Sequence, residues 1–66
     1  MQIKFNGKLQ ELAHEQSLQQ FLAERGIPAD GTACAVNEEI VSKAQWATFM
    51  LTDGMQVDVF SLVAGG

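Results

Sequence analysis

The sequence contains one cysteine, one proline, no tyrosine and only four lysine and arginine residues. The single cysteine, Cys34, excludes a disulfide within the chain and is typical of a reducing compartment. The basic residues are scattered, so we expect no nucleic-acid partner, because phosphate binding needs clustered positive charge. No apolar run approaches the roughly 20 residues that span a bilayer, and the first residues do not form a secretion signal. We therefore predict a cytoplasmic protein with no membrane partner.

What the chain does contain is an ordinary globular composition in a short length. It has 66 residues, of which 47% are apolar, and eight acidic residues give a net charge of −4. A chain of this size folds as one domain with a thin core and leaves little room for a deep catalytic cleft. We therefore predict a single domain over residues 1–66 that is not an enzyme on its own. The acidic excess favours approach to a basic partner surface.

The amino-terminal residues predict a β-hairpin. The alternation in "QIKF" indicates a half-buried strand with Ile3 and Phe5 facing inward. Asn6 and Gly7 suit a type I′ turn because both positions tolerate positive φ. Residues 8–12, "KLQEL", then form the returning strand.

A short helix with clear end signals follows the hairpin. Ser17 is a good N-cap, and Gln20 three residues later completes a capping-box pattern. Gly26 provides the left-handed residue that ends the helix. Its apolar stripe consists of Leu18, Phe21 and Leu22.

The second half of the sequence predicts three more strands. Residues 32–37 and 38–41 pair across a turn near Asn37 and Glu38, and Asp53-Gly54 marks a further turn before a last strand over 55–64. Ser42 is a candidate cap for a short helical turn that brings Trp46 to the core. Together these elements predict an α+β fold with one helix across one face of a mixed sheet.

The last predicted strand changes character along one face. Val57 and Val59 point toward the helix, and Asp58 lies on the opposite, exposed face. That exposed face begins polar but ends in Phe60 and Leu62, which indicates a contact surface, to which Ile40 is a candidate addition. The alternative is a twist or bulge that buries Phe60.

The sequence ends in Gly65 and Gly66, directly after the strand. An α-carboxylate is ionised at neutral pH and is a poor acyl donor, so chemistry on it needs activation, for example as a mixed anhydride with a nucleotide phosphate. Glycine has no Cβ, so such a segment enters a narrow channel easily. Four extended residues after Leu62 reach about 13 Å, enough to pass from a docking surface into a partner's active site. The alternative is a frayed, inert end.

Four stretches of the chain resemble the ThiS family of sulfur carriers of thiamin biosynthesis. They are "MQIKFNG", "AVNEEIV", "QWATFMLTDG" and "VDVFSLVAGG", and the similarity covers essentially the whole length. The resemblance implies a ubiquitin-like β-grasp fold of four to five strands, with a flexible Gly-Gly tail.

The resemblance also implies a role as a protein co-substrate. A ThiF-type, E1-like enzyme adenylates the Gly66 carboxylate with ATP and magnesium, and sulfur from a cysteine desulfurase converts it to a thiocarboxylate. A ThiG-type thiazole synthase then takes the sulfur. Gly66 carries the sulfur, Gly65 gives access, and Phe60, Leu62 and Ile40 bind the partner. The chain itself binds no cofactor and no metal.

Three alternatives stay open at this point. The small subunit of molybdopterin synthase shares the glycine end but is typically longer and often has prolines before it, and "FSLVAGG" has none. A protein modifier would be joined to lysines through Gly66, and a plain binding module would have an inert end. Cys34 is expected in the core rather than as a reactive thiol, since free cysteines are usually buried.

Overall fold

The computed structural model describes residues 1–61 and contains five strands and one α-helix in that part of the chain. In chain order they are β1 (Gln2–Phe5), β2 (Lys8–Glu11), α1 (Leu18–Glu24), β3 (Thr32–Val36), β4 (Glu39–Val41) and β5 (Gln56–Ser61), with a 3₁₀ turn at Lys43–Gln45. The sheet order is β2-β1-β5-β3-β4. β1 and β5 are parallel and the other neighbours are antiparallel. The α+β class with a mixed sheet is therefore confirmed.

The first hairpin has the predicted turn. Asn6 and Gly7 have φ of 50° and 84°, the positive values that a type I′ turn requires. This two-residue turn places Lys4 opposite Leu9 and Ile3 opposite Gln10. Ile3 therefore faces the core, whereas Leu9 lies on the other side of the sheet.

The helix begins and ends as its sequence predicts, with one difference. Ser17 Oγ accepts a hydrogen bond from the Gln20 backbone N–H (3.1 Å), but the Gln20 side chain donates to Glu24 instead of returning to the cap. Only half of the capping box is formed. At the other end, Gly26 has φ of 73°, and the N–H groups of Gly26 and Ile27 donate to carbonyls of the last turn, which makes a Schellman motif.

The core lies between α1 and one face of the sheet. The predicted stripe of α1 is fully buried and packs against side chains from β1, β3 and β5. Trp46 is also buried, as predicted, and its indole Nε1 donates to the Val41 carbonyl (2.9 Å). Ser42 precedes the 3₁₀ turn but makes no side-chain cap hydrogen bond. Among residues 1–61, no helix is long and apolar enough to cross a membrane.

Arg25 has a packing role beyond its position at the end of α1. Its guanidinium lies 4.0 Å from the centroid of the Phe21 ring and 5.9 Å from that of Phe5. The same group donates to Gln10 Oε1 (2.9 Å). Arg25 therefore joins the end of the helix to both strands of the first hairpin by cation–π stacking and a hydrogen bond.

Candidate functional site

β5 is the central strand of the sheet and carries the candidate site at its far end. It pairs with β1 through only two residue pairs, the second of which joins Phe5 to Val57, whereas its pairing with β3 continues to Ser61. β1 ends at its turn, so the last part of β5 is paired with β3 alone. Beyond Val57, the strand pairs that β5 forms within residues 1–61 are with β3.

Two turn asparagines hold β5 in place. Asn6 Oδ1 accepts a hydrogen bond from the Val59 N–H (2.8 Å), and Asn37 Oδ1 accepts one from the Gln56 N–H (3.0 Å). Each side chain thus supplies an acceptor for a backbone N–H of β5. Both asparagines therefore adopt the positive φ that their turns require and also align β5 through their side chains.

The sheet face turned away from α1 carries an apolar patch around β5. Asp58 pairs with Ala35, which pairs with Ile40 on its other side, and in the next row Phe60 pairs with Ala33. These side chains share one face because strand side chains alternate. We call this set the outward patch: Ala33, Ala35, Ile40, Asp58 and Phe60.

The large apolar side chains of the outward patch are exposed. Phe60 keeps 49% of its surface accessible and Ile40 keeps 69%. Phe60 is therefore on the exposed face, and the alternative in which a twist or bulge buries it is wrong. Ala33 is half-buried and Ala35 is buried on the strand between them. The roles of Phe60 and Ile40 in partner binding stay a prediction.

Asp58 is the one ionisable side chain in the outward patch. It is half-buried, and its Oδ2 accepts a hydrogen bond from Gln56 Nε2 (3.0 Å). No lysine or arginine among residues 1–61 lies within ion-pair distance of it. Sequence reasoning placed Asp58 on an exposed strand face but did not identify its position within an apolar surface.

Leu9 is a second exposed apolar residue on this face, 65% accessible, and its exposure was not predicted. The signal was present, because a two-residue turn at 6–7 puts Leu9 opposite Lys4 and so on the outer side. Leu9 borders a depression of about 330 Å³ that is otherwise lined mainly by polar residues such as Lys4 and Gln56. This polar surface separates Leu9 from the outward patch.

Cys34 lies on the opposite face from the outward patch, in the core, as predicted. It has no accessible surface, and its thiol points to the Ala35 carbonyl (3.9 Å). Burial, with a smaller contribution from the nearby negative charge of Asp58, raises the pKa of the Cys34 thiol to about 11. The thiol is therefore protonated at neutral pH, which does not suit a nucleophile or sulfur carrier.

The remaining predicted site residues, Leu62, Gly65 and Gly66, lie outside the described residues. Within residues 1–61, no three histidine, cysteine, aspartate or glutamate side chains come together in a way that would hold a metal ion. The expectation that the chain binds no metal or cofactor stays a prediction.

Comparisons with known proteins agree with this architecture. The sequence pattern of the ThiS family matches residues 3–66. The sulfur carrier protein ThiS of Escherichia coli K12 is 36% identical over 66 residues, which cover the whole of both chains.

Solved structures show the same fold. The crystal structure of the thiamine biosynthesis protein ThiS from Geobacter metallireducens superposes with a TM-score of 0.87 over the whole of both chains, at 20% identity. The solution structure of a thiamine biosynthesis protein from the same organism gives a TM-score of 0.80 over all of this chain and 88% of the other, at 19% identity. The predicted ubiquitin-like β-grasp fold is confirmed.

Proposed function

Because the chain belongs to the ThiS family, we propose that it is a sulfur carrier of thiamin biosynthesis that holds sulfur as a thiocarboxylate on Gly66. The observation that carries the proposal is the family match over residues 3–66, joined to an exposed apolar surface at the end of β5. The chain is a co-substrate of other enzymes in this proposal and binds no cofactor itself.

The chemistry follows from the weak reactivity of a carboxylate. The Gly66 carboxylate attacks the α-phosphate of ATP, and pyrophosphate leaves, so that an acyl adenylate forms on a ThiF-type enzyme that uses magnesium. A sulfur nucleophile at the oxidation level of sulfide then attacks the acyl carbon, and AMP leaves. The product is a thiocarboxylate. A cysteine desulfurase is the proposed origin of its sulfur, which it delivers as a persulfide, so a thiol must release that sulfur at the sulfide level and is itself oxidised to a disulfide. Gly65 and Gly66 suit this site because a backbone without Cβ approaches a nucleotide closely.

The outward patch supplies the docking surface in this proposal. Phe60 and Ile40 present apolar area to the activating enzyme, and Leu62 extends that contact along the sequence toward Gly66. Exposed aromatic side chains at the centre of a contact commonly dominate binding energy. After loading, a ThiG-type thiazole synthase takes the sulfur and returns the Gly66 carboxylate.

The proposal is tested by intact-mass spectrometry of the full chain. The protein is incubated with its ThiF-type enzyme, ATP, magnesium and inorganic sulfide, and we expect the mass gain of one oxygen replaced by one sulfur. Deletion of Gly66 should abolish both the mass gain and ATP–pyrophosphate exchange, while circular dichroism shows an unchanged fold. An unchanged mass of the wild-type chain with an enzyme proven active on another carrier would contradict the proposal, and lysine-linked conjugates would favour a protein modifier.

Docking is tested separately by a matched pair of variants. Phe60→Asp should weaken binding to the activating enzyme by about thirtyfold or more, the effect of losing a central aromatic contact. Leu9→Asp is the control, because Leu9 is also an exposed apolar residue on the same sheet face but lies outside the outward patch. Equal effects of the two variants would show that binding does not depend on the outward patch.

A further inference from the structure

The position of Asp58 within the outward patch determines which kind of side chain a partner protein must place opposite it. The row Asp58–Ala35–Ile40 crosses three neighbouring strands, and Phe60 is the next residue of β5 on the same face. Asp58 is next to Ala35 in its row and next to Phe60 along β5, so a protein surface that lies on Phe60 and extends over Ala35 to Ile40 also covers Asp58. The other patch residues are alanine, isoleucine and phenylalanine, and among residues 1–61 Gln56 supplies a hydrogen bond to Asp58, so such a contact removes most of the remaining water from the carboxylate.

Within residues 1–61, few groups compensate the negative charge of Asp58 when water is removed from it. A carboxylate has about four lone-pair positions on two oxygens, and Asp58 accepts one hydrogen bond, from Gln56 to Oδ2. No cation among residues 1–61 is close enough to form an ion pair with it. A buried charge without an opposite charge is strongly unfavourable, by several kcal/mol per ion. A partner with a purely apolar surface would therefore be rejected at this position.

We propose that the protein that docks on the outward patch presents an arginine or lysine side chain to Asp58, surrounded by apolar contacts to Phe60 and Ile40. The inference rests on the proposed function, and the occupant is the ThiF-type activating enzyme. Charge complementarity carries the assignment, because a cation both compensates the negative charge and donates to the free oxygen. Asp58 is then a specificity residue: it selects an activating enzyme with a cation at this point of its docking surface.

Lys4 is the nearest alternative source of a positive charge. It lies on β1, on the same sheet face, opposite Gln56 rather than Asp58. A Lys4→Gln variant therefore belongs in the experiment, because loss of binding equal to that of an Asp58 variant would show that the compensating cation comes from this chain.

The experiment measures binding of full-length variants to the activating enzyme by isothermal titration calorimetry. Asp58→Asn keeps the size of the side chain and removes its charge, and Asp58→Leu adds apolar area to the patch. Glu24→Gln is the matched control, since it also removes one negative charge but lies on the exposed side of α1, across the sheet from the patch. Thermal unfolding of each variant shows whether it is folded.

The direction in which Asp58→Leu changes Kd distinguishes a cationic partner residue from an apolar partner surface. Against a cationic partner residue, we expect both Asp58 variants to raise Kd by about thirtyfold or more, as for loss of one member of a buried charge pair. Glu24→Gln and Lys4→Gln should change Kd by about threefold or less, as rim charges do. The effect of the Asp58 variants should persist at high salt, because covered pairs are little screened.

Three results would overturn the inference. Tighter binding of Asp58→Leu would show an apolar partner surface. Unchanged binding of Asp58→Asn would show that Asp58 remains hydrated at the edge of the contact, and a large effect of Lys4→Gln would assign the cation to this chain. In each case, sulfur loading of the wild-type chain would leave the proposed function standing. If the wild-type chain neither binds the enzyme nor gains sulfur, the proposed function fails as well.

Discussion

The raised pKa of Cys34 makes a quantitative prediction about alkaline stability. Cys34 is fully buried, and its pKa is raised from 9.0 to about 11, chiefly by burial. The unfolded chain therefore loses the thiol proton at a lower pH than the folded chain does. Between these two pKa values the folded state binds more protons, so a rise in pH favours unfolding. The contribution of the protonated thiol is complete below pH 9 and is lost as pH rises toward 11.

The size of the effect follows from the shift. A full unit of pKa difference corresponds to about 1.4 kcal/mol, so the free energy of unfolding should fall by about 1 kcal/mol between pH 8 and pH 10. All other ionisable groups are present equally in a Cys34→Ala variant. The stability difference between wild type and Cys34→Ala therefore isolates the thiol.

Urea unfolding of both proteins at pH 8, 9 and 10 tests this reasoning. Cys34→Ala should be less stable at pH 8 because it leaves a small cavity, and the difference between the two proteins should shrink by about 1 kcal/mol at pH 10. A difference that stays constant from pH 8 to pH 10 would refute the raised pKa. Asp58→Asn tests the smaller contribution, that of the Asp58 charge, because removing this charge should lower the pKa of Cys34 slightly.

Three substitutions, the first with a matched control, test the turn and the packing that position the candidate site. Glu38→Gly should raise the free energy of unfolding by about 0.5 kcal/mol, because Glu38 has φ of 70°; Glu39→Gly, in β4, should lower it instead. Arg25→Lys keeps the charge but loses the flat stacking on Phe21, so thermal unfolding should show a free energy of unfolding that is lower by about 1 kcal/mol. A stability equal to that of the wild type would contradict a stacking role. Trp46→Phe leaves the Val41 carbonyl without its donor and should lower the free energy of urea unfolding by about 2 kcal/mol; a loss below about 0.5 would contradict that role.

Local sequence patterns predicted the turns and helix ends that depend on neighbouring residues in the sequence. The Asn6-Gly7 turn, the Ser17 cap and the Gly26 end of α1 all follow from backbone preferences of single residues, and all are present. The inward and outward sides of β5 followed from alternation alone, which is why the exposure of Phe60 was predictable. The end of β5 falls within the predicted strand, although the strand starts at Gln56 rather than Met55.

Interactions between distant residues were not predictable in the same way. The side chain of Asn6 binds the backbone of Val59, more than fifty residues away, and no local pattern indicates which strand it meets. Arg25 was identified only as a residue in the last turn of the helix, and its contact with Gln10 depends on how α1 lies across the hairpin. The absence of an ion pair to Asp58 within residues 1–61 likewise depends on strand order and register, which place Ala35 of β3 beside it and put Lys4 of β1 opposite Gln56 instead.

The strand order connects the fold to the proposed function. β5 follows β4 in the sequence but lies at the centre of the sheet, between β1 and β3, so its position is fixed from both sides near Val57. Farther along, the Val59 N–H binds the Asn6 side chain, and Phe60 stands on the exposed face. A docking surface on such a strand has little freedom to shift relative to the core. In the proposed function, an enzyme that binds Phe60 and Ile40 therefore holds the end of β5 in a defined position, and adenylation of a single carboxylate requires such positioning.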